Sequence, residues 1–174
     1  GVRQLEKRTC SDARPDRPRR AYEMGHQVFA RLHEEFPEVE IVFFGADELT
    51  PAPTFPFVNR GKLPQEELAQ LFSSSDIGVV FSLSNPSFVP LEMMACGCAV
   101  LEISSERWDG ILTHSANAWL VEPTTEAVAG GLRKLLTDGN LRAELVANGL
   151  ALTRKMSWRD SARQIERILR RDLA

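Results

Sequence analysis

The sequence predicts an α/β fold: a Rossmann-like parallel sheet with helices on both faces. Three observations carry this. Nearly continuous apolar runs (VEIVFFG at 39–45, DIGVVF at 76–81, CAVLEI at 98–103) read as strands covered on both sides. Segments with apolar residues at helical spacing lie between them. Strand and helix alternate in units of roughly 25–35 residues, the length of a βαβ crossover.

The elements follow in order. Residues 1–12 are ambiguous, with room for a first strand. Residues 14–20 form a loop, because Pro15 and Pro18 deny it regular structure. A helix is expected over 21–35, where Tyr22, Gly25, Val28, Phe29 and Leu32 share one face, and Pro37 ends it. A strand follows at 39–45 and a shorter one at 55–60, before Gly61. The helix over 64–73 has proline at its start and acidic residues in its first turn. After the strand at 76–81, residues 85–89 turn into a helix over 90–96 that Gly97 stops. Strands at 98–103 and 117–121 come next. Helices over 124–137, 141–155 and 158–171 close the chain, the last with Ser157 as its N-cap.

The 174 residues are enough for one domain, expected over 1–174. A balance of 43% hydrophobic and 26% charged residues is that of a soluble globular protein. The net charge of -3 argues against non-specific nucleic-acid binding, which needs a positive field. No apolar run approaches the roughly 18–20 residues that span a bilayer. The opening residues, 1–8, are mostly polar and carry no signal-peptide pattern. The expected location is therefore the cytoplasm, with peripheral attachment to the inner face of the membrane compatible with it. The three cysteines, Cys10, Cys96 and Cys98, point to a reducing compartment. One residue separates Cys96 from Cys98, not the two of a zinc or redox pair, so they read as small buried residues and no metal site is expected. Trp108, Trp119, Trp158, Met93 and Met94 read as packing residues.

Parallel sheets of this kind bind ligands at the carboxyl ends of their strands, so the loops after Gly45, Gly61, Phe81 and Ile103 are the places for a site. The most informative stretch is SSSDIGVVFSLSNPSFVPLEMMACGCAV, residues 73–100. It reads as a buried strand, a small-residue loop, and a helix that starts at the open edge of the sheet. The amides of Ser87, Phe88 and Val89 together with that helix start make a site for phosphate or sugar oxygens. Glu92 falls in the first turn, where the dipole stabilises a carboxylate that can hold a ribose diol. Simple capping of the helix accounts equally for Glu92 taken alone.

The same segment resembles the donor-binding motif of retaining glycosyltransferases with the GT-B fold, notably family 4. Those proteins typically read Glu-x-Phe-Gly-x-x-x-Leu-Glu-Ala-Met-Ala-x-Gly-x-Pro-Val. This chain reads Pro90-Leu91-Glu92-Met93-Met94-Ala95-Cys96-Gly97-Cys98-Ala99-Val100. Leu71-Phe72-x-x-Ser75-Asp76-Ile77 is similar to the family's helix-to-strand junction. The resemblance runs from about Ala13 to the last helix, and the PSxxPLEMMACG variant is similar to a bacterial branch that includes rhamnosyltransferases of cell-surface glycans.

The resemblance implies the nucleotide-sugar-binding half of a two-domain enzyme, with an N-terminal, acceptor-binding half absent from this chain. It gives Glu92 the nucleotide ribose. The family's other glutamate, which contacts the donor hexose, falls at Ser84, a neutral residue. That departure implies a deoxy or otherwise unusual sugar, or loss of activity, and the rhamnosyltransferase-like branch favours the first. Family members also carry an Arg and a Lys about five residues apart that reach the donor diphosphate. Arg14 matches the first and Arg19 the second by spacing, with Arg20 as its competitor. Taken in isolation that run reads as a solvated arginine cluster; its position before the first helix, together with the Glu92 motif, favours the diphosphate. Asn59, Arg60 and Gly61 fall where the family contacts the nucleobase through main-chain atoms; Gly61 also fits a simple turn.

No catalytic residue is assigned within the chain, since the cleft needs groups from the missing half. No cofactor is expected. The partners implied are a nucleoside-diphosphate sugar and a glycan acceptor reached through that half. Arginines and amides carry the leaving-group charge, and no Asp-x-Asp triplet occurs, so metal-independent transfer is expected. Two other classes remain. One is a non-catalytic or inactive nucleotide-sugar-binding module. The other is a dehydrogenase or sugar epimerase, which lacks the support of any Gly-x-Gly-x-x-Gly fingerprint.

Overall fold

A computed structural model describes residues 7–17, 20–84 and 86–172. Arg19, together with Pro18 and Asn85, lies outside the described residues. Six strands form one parallel sheet: β1 (Arg8–Asp12), β2 (Glu40–Phe44), β3 (Val58–Asn59), β4 (Ile77–Val80), β5 (Ala99–Ile103) and β6 (Trp119–Val121). Their order is β3-β2-β1-β4-β5-β6. The helices are α1 (Tyr22–Glu35), α2 (Gln65–Ser73), α3 (Val89–Ala95), α4 (Thr125–Thr137), α5 (Gly139–Thr153) and α6 (Trp158–Asp172). The α/β class, the parallel sheet and the helices on both faces are as the sequence predicts.

Side chains alternate between two cores, as the two-residue period of a strand demands. Ile41, Phe43, Ile77, Val79, Leu101 and Ile103 face α1 and α4, joined by Val28, Phe29, Leu132 and Leu135. Val42, Phe44, Val80 and Val100 face the other way, against Phe72, Met93, Met94 and Trp108. The ring of Phe29 meets Phe43 edge-on at 5.3 Å. Removing such a fully buried ring costs about 3–5 kcal/mol, through lost transfer energy and the cavity left behind.

The helix ends follow local chemistry. Thr124 and Asp138 cap α4 and α5 by accepting from Ala127 N and Leu141 N. Ser157 accepts from Asp160 N at 3.2 Å, the cap expected of it. Gly97, at φ 80, adopts the left-handed turn that stops α3 one residue after its C-cap. Pro64 is the N-cap of α2 and not its first helical residue.

Three expectations shift. The strand expected over 55–60 shrinks to Val58–Asn59, because Pro56 has no N–H to donate to an edge ladder. Phe55 is instead buried against α1 and β2. The ambiguous opening segment contains β1, a central strand whose Thr9, Ser11 and Asp12 are all buried. Trp158, expected to pack, is 78% exposed and meets Phe88 edge-on at 5.3 Å. It opens α6, an amphipathic helix that also exposes Ile165, Ile168 and Leu169. Among the described residues no helix is long and apolar enough to cross a membrane.

Candidate functional site

The strand order reverses between β1 and β4, so the loops that leave their carboxyl ends diverge to opposite sides and open a crevice. In the loop after β1, Arg17 N donates to Arg14 O at 3.0 Å and Arg20 N donates to Arg17 O at 2.8 Å. Ala21 then takes a left-handed conformation, φ 45 and ψ 44, that swings the chain into α1. Such a conformation costs an L-residue about 1–2 kcal/mol, so the surrounding contacts hold it in place.

Asp12 closes β1 with a side chain only 1% exposed. Its Oδ1 accepts from Arg14 Nε at 2.9 Å, and its Oδ2 lies 3.5 Å from Arg20 Nε. Arg20 is itself buried and donates from Nη1 to Ser82 Oγ at 3.1 Å. Ser82 passes the connection on: its hydroxyl donates to Glu102 Oε2 and its amide to Oε1, each at 3.0 Å. Ile103 N adds a third bond to Glu102 Oε1, at 2.7 Å. Burial pushes the Glu102 carboxyl up to about 7, against the pull of these hydrogen bonds and of Arg20. A polar chain thus runs beneath the crevice from β1 through β4 to β5.

Arg14 is 32% exposed and lines a cleft of about 710 Å³ with Arg17, Gly45, Asp47, Thr50 and Lys62. Gly45, at φ 105, makes this geometry possible. A Cβ there would sit 2.5 Å from Asp12 Oδ1 and 3.2 Å from Arg14 Nε. On the far side of the cleft Asp47 accepts from Lys62 N at 3.0 Å and pairs with Lys62 Nζ at 3.4 Å. The backbone bond from Lys62, followed by its charge-assisted side-chain bond, holds the Asp47 carboxyl below its ordinary range.

The Asn59–Gly61 corner is built by side-chain to main-chain bonds. Asn59 Nδ2 donates to Ala46 O and Asp47 O, both at 3.1 Å, and its Oδ1 accepts from Gly61 N. Gly61 O in turn accepts from Gly45 N at 2.8 Å. Asn59 is therefore a bracket between the loops after β2 and β3, and Arg60 is exposed.

On the other side of the crevice, Ser84 is exposed. Ser87 is half-buried, and its Oγ has no hydrogen-bond partner among the described residues. Phe88 is the N-cap of α3, with a side chain 61% exposed and no side-chain capping bond. Glu92 is exposed on the first turn and lines a second cleft, of about 360 Å³, with Phe88, Leu91, Met156 and Trp158. Arg14 and Glu92 thus flank the switch point but line different clefts.

Sequence reasoning missed Asp12, Ser82 and Glu102, and took Arg20 for a ligand-facing competitor of Arg19. A signal existed in Glu102, the one carboxylate inside CAVLEI, a run otherwise free of charge. Cys10 and Cys98 are buried, as expected of structural cysteines, whereas Cys96, also expected to be buried, is only half-buried at the C-cap of α3. Trp108 is buried too, while His114 accepts from Leu120 N and lies against Trp119. Among the described residues no group of three or more His, Cys, Asp or Glu is placed to hold a metal ion.

Residues 7–133 match the family model of the WsaF C-terminal domain. The O-antigen biosynthesis protein RfbC of Myxococcus xanthus is 36% identical over 151 residues, covering 83% of this chain and 12% of RfbC. The chain therefore spans a small part of that curated relative. HepE of Anabaena, solved with UDP and glucose, superposes with a TM-score of 0.79 at 16% identity, over 94% of this chain and 48% of HepE. The C-terminal domain of LpcC, a group 1 glycosyl transferase of Francisella tularensis, superposes with a TM-score of 0.72 at 20% identity, over 86% of this chain and 85% of that domain. These likenesses establish the fold as one half of a GT-B architecture. With residues 7–133, most of the chain, matched by the family model and a relative that shares more than a third of the aligned residues, this chain belongs to the WsaF C-terminal domain family.

Proposed function

We propose that this chain is the nucleotide-sugar-binding half of a retaining glycosyltransferase. In this reading it presents a nucleoside-diphosphate sugar to a glycan acceptor held by a second, N-terminal half, in the cytoplasm. The observation that carries the reading is the placement of Arg14. Its guanidinium is fixed at the strand ends, beside the switch point, and is open to a cleft. When the sugar–phosphate bond breaks, negative charge collects on the diphosphate. A cation already in place there stabilises the transition state more than the ground state.

The remaining assignments rest on position and on the motif. Glu92, exposed on the first turn of α3, takes the ribose diol. The amides of Ser87 and Phe88 take diphosphate oxygens, with Arg19 as the second cation. The main chain at Asn59, Arg60 and Gly61 borders the base. Ser84 meets the donor sugar, and its short neutral side chain favours a deoxyhexose such as rhamnose. The UDP bound to HepE and the O-antigen role in RfbC's name support a nucleotide donor and a glycan product. One feature favours a second reading, a binding module without catalysis: Ser84 stands where the resembled motif has a glutamate.

The test is a titration of wild type and Arg14→Ala with UDP, dTDP and their nucleosides at two salt concentrations. A wild-type preference for diphosphate over nucleoside, weakened by salt and reduced in Arg14→Ala, is the expected result. Equal weakening of both ligand classes would remove Arg14 from the leaving-group site. Sugar transfer by the full-length protein separates an enzyme from a binding module.

A further inference from the structure

Asp12 occupies an unusual position for a carboxylate. It is almost wholly buried at the end of a central strand, beneath a site proposed to bind an anion. Its own charge would repel a diphosphate, so its presence calls for another reason. Oδ1 accepts a hydrogen bond from Arg14 Nε at 2.9 Å, while Oδ2 lies at an ion-pair distance of 3.5 Å from Arg20 Nε without a hydrogen bond. The Arg14 bond uses Nε, and the two Nη groups of Arg14 make no hydrogen bond among the described residues. Each arginine meets Asp12 through a single Nε, so Arg14 keeps its outer N–H groups for a ligand.

The backbone next door is shaped to the same pair. The loop after β2 passes so close that a single methyl at position 45 would overlap Asp12 Oδ1 and crowd Arg14 Nε. Gly45 also has a positive φ, and its amide is tied to Gly61 O at 2.8 Å, so the loop cannot easily retreat. The contact is therefore enclosed on one side by Arg20 and on the other by backbone.

We propose that Asp12 is a positioning residue for the transfer reaction: through Oδ1 it locks the Arg14 side chain so that the outer guanidinium fork is preorganised for the donor diphosphate. This rests on the leaving-group role proposed for Arg14. A long side chain free to rotate loses conformational freedom when it captures a ligand, and a side chain already held loses less. The lock is a charge-assisted hydrogen bond to one carboxylate oxygen, so losing the acceptor and losing the charge alone can be separated by substitution.

Asp12→Ala removes the acceptor, while Asp12→Asn keeps an oxygen for Arg14 Nε and removes the charge. UDP, dTDP and the matching nucleosides serve as probes in calorimetry, with thermal unfolding followed in parallel. Asp12→Ala is expected to weaken diphosphate binding about tenfold relative to nucleoside, and Asp12→Asn to restore part of that selectivity, at a lower unfolding temperature because its amide N–H groups face Arg20 Nε. In the Arg14→Ala background, Asp12→Ala should produce little further loss, because the two residues act as one unit.

Several outcomes overturn the proposal. Tighter diphosphate binding in both Asp12 variants would mean that only the charge matters. Parallel loss of diphosphate and nucleoside would mean a purely structural residue. Additive losses from Asp12→Ala and Arg14→Ala would mean that they act separately. If Asp12→Ala does not fold, Gly45→Ala pushes the same pair apart with the charge intact, and it should show the same selective loss; unaltered selectivity there overturns the proposal. Wild-type chain that binds no diphosphate, or an Arg14→Ala chain with undiminished selectivity, would bring down the leaving-group reading itself. A selective loss in Arg14→Ala but none in Asp12→Ala would bring down the positioning role alone.

Discussion

Arg20 Nη1 donates to Ser82 Oγ at 3.1 Å, which ties the loop after β1 to the end of β4 across the switch point, between residues 62 positions apart. The same guanidinium reaches Asp12 on β1, and Ser82 reaches Glu102 on β5. Arg20 is thus the link that joins three neighbouring strand ends into one support beneath the crevice.

That placement makes Arg20 a stability residue more than a ligand contact. Removing Arg20 leaves buried Asp12 with Arg14 as its cation and takes a donor from Ser82 Oγ; breaking a buried ion pair costs up to about 3–5 kcal/mol. Arg20→Ala should therefore lower the urea midpoint far more than Arg14→Ala, whose side chain is a third exposed. Matching midpoints for the two variants would show that the buried network contributes little.

Glu102 should give stability a pH dependence of unusual sign. Its carboxyl sits near 7 in the folded chain against an ordinary value of 4.5, so between these two pH values the folded state holds a proton that the unfolded state has lost. Stability from this group is full below about 4.5 and is lost as pH rises through about 7, an effect of at most about 3 kcal/mol. Asp47 and Asp138, held below their ordinary range by hydrogen bonds, act in the opposite sense and only at more acidic pH. Denaturation at pH 5 and pH 8 reads the difference. Glu102→Gln should flatten it, and an unchanged slope in that variant would place the titration elsewhere.

Glu92→Ala should weaken nucleotide-sugar binding with little effect on the fold. The carboxylate is exposed, and capping of α3 falls to the backbone around Phe88 without a side-chain bond. A charge-assisted bond to a hydroxyl is worth about 1.5–3 kcal/mol. Calorimetry on a variant with normal circular dichroism checks this, and unaltered affinity would leave Glu92 as a surface residue of α3.

Ser84→Glu should shift donor preference in the full two-domain protein. The residue is exposed in the loop after β4, so a longer acidic side chain can be accommodated there. Activity across a panel of nucleotide sugars is the readout, and identical profiles for the two proteins would remove Ser84 from the sugar contact.

The sequence alone determined the layered architecture, because burial on two faces writes itself into short apolar runs. β2, β4 and β5 lie inside the runs at 39–45, 76–81 and 98–103. The helical face of Tyr22, Gly25, Val28, Phe29 and Leu32 is the buried face of α1. The motif around Glu92 and the arginine run at Arg14 stand out in the sequence because each is a local string of residues next to a readable element, and the roles proposed for them rest on that motif. β1 was not, since RTCSD is too polar to look like a central strand, although Cys10 and Ser11 lie in the middle of the sheet. Nor was the buried chain from Asp12 through Arg20 and Ser82 to Glu102. Its members are far apart in sequence and meet only because parallel strands β1, β4 and β5 lie side by side with their carboxyl ends at one edge. No local pattern encodes that adjacency. Strand order is set by which crossovers bury both faces of the sheet at once, and that is a property of the whole chain.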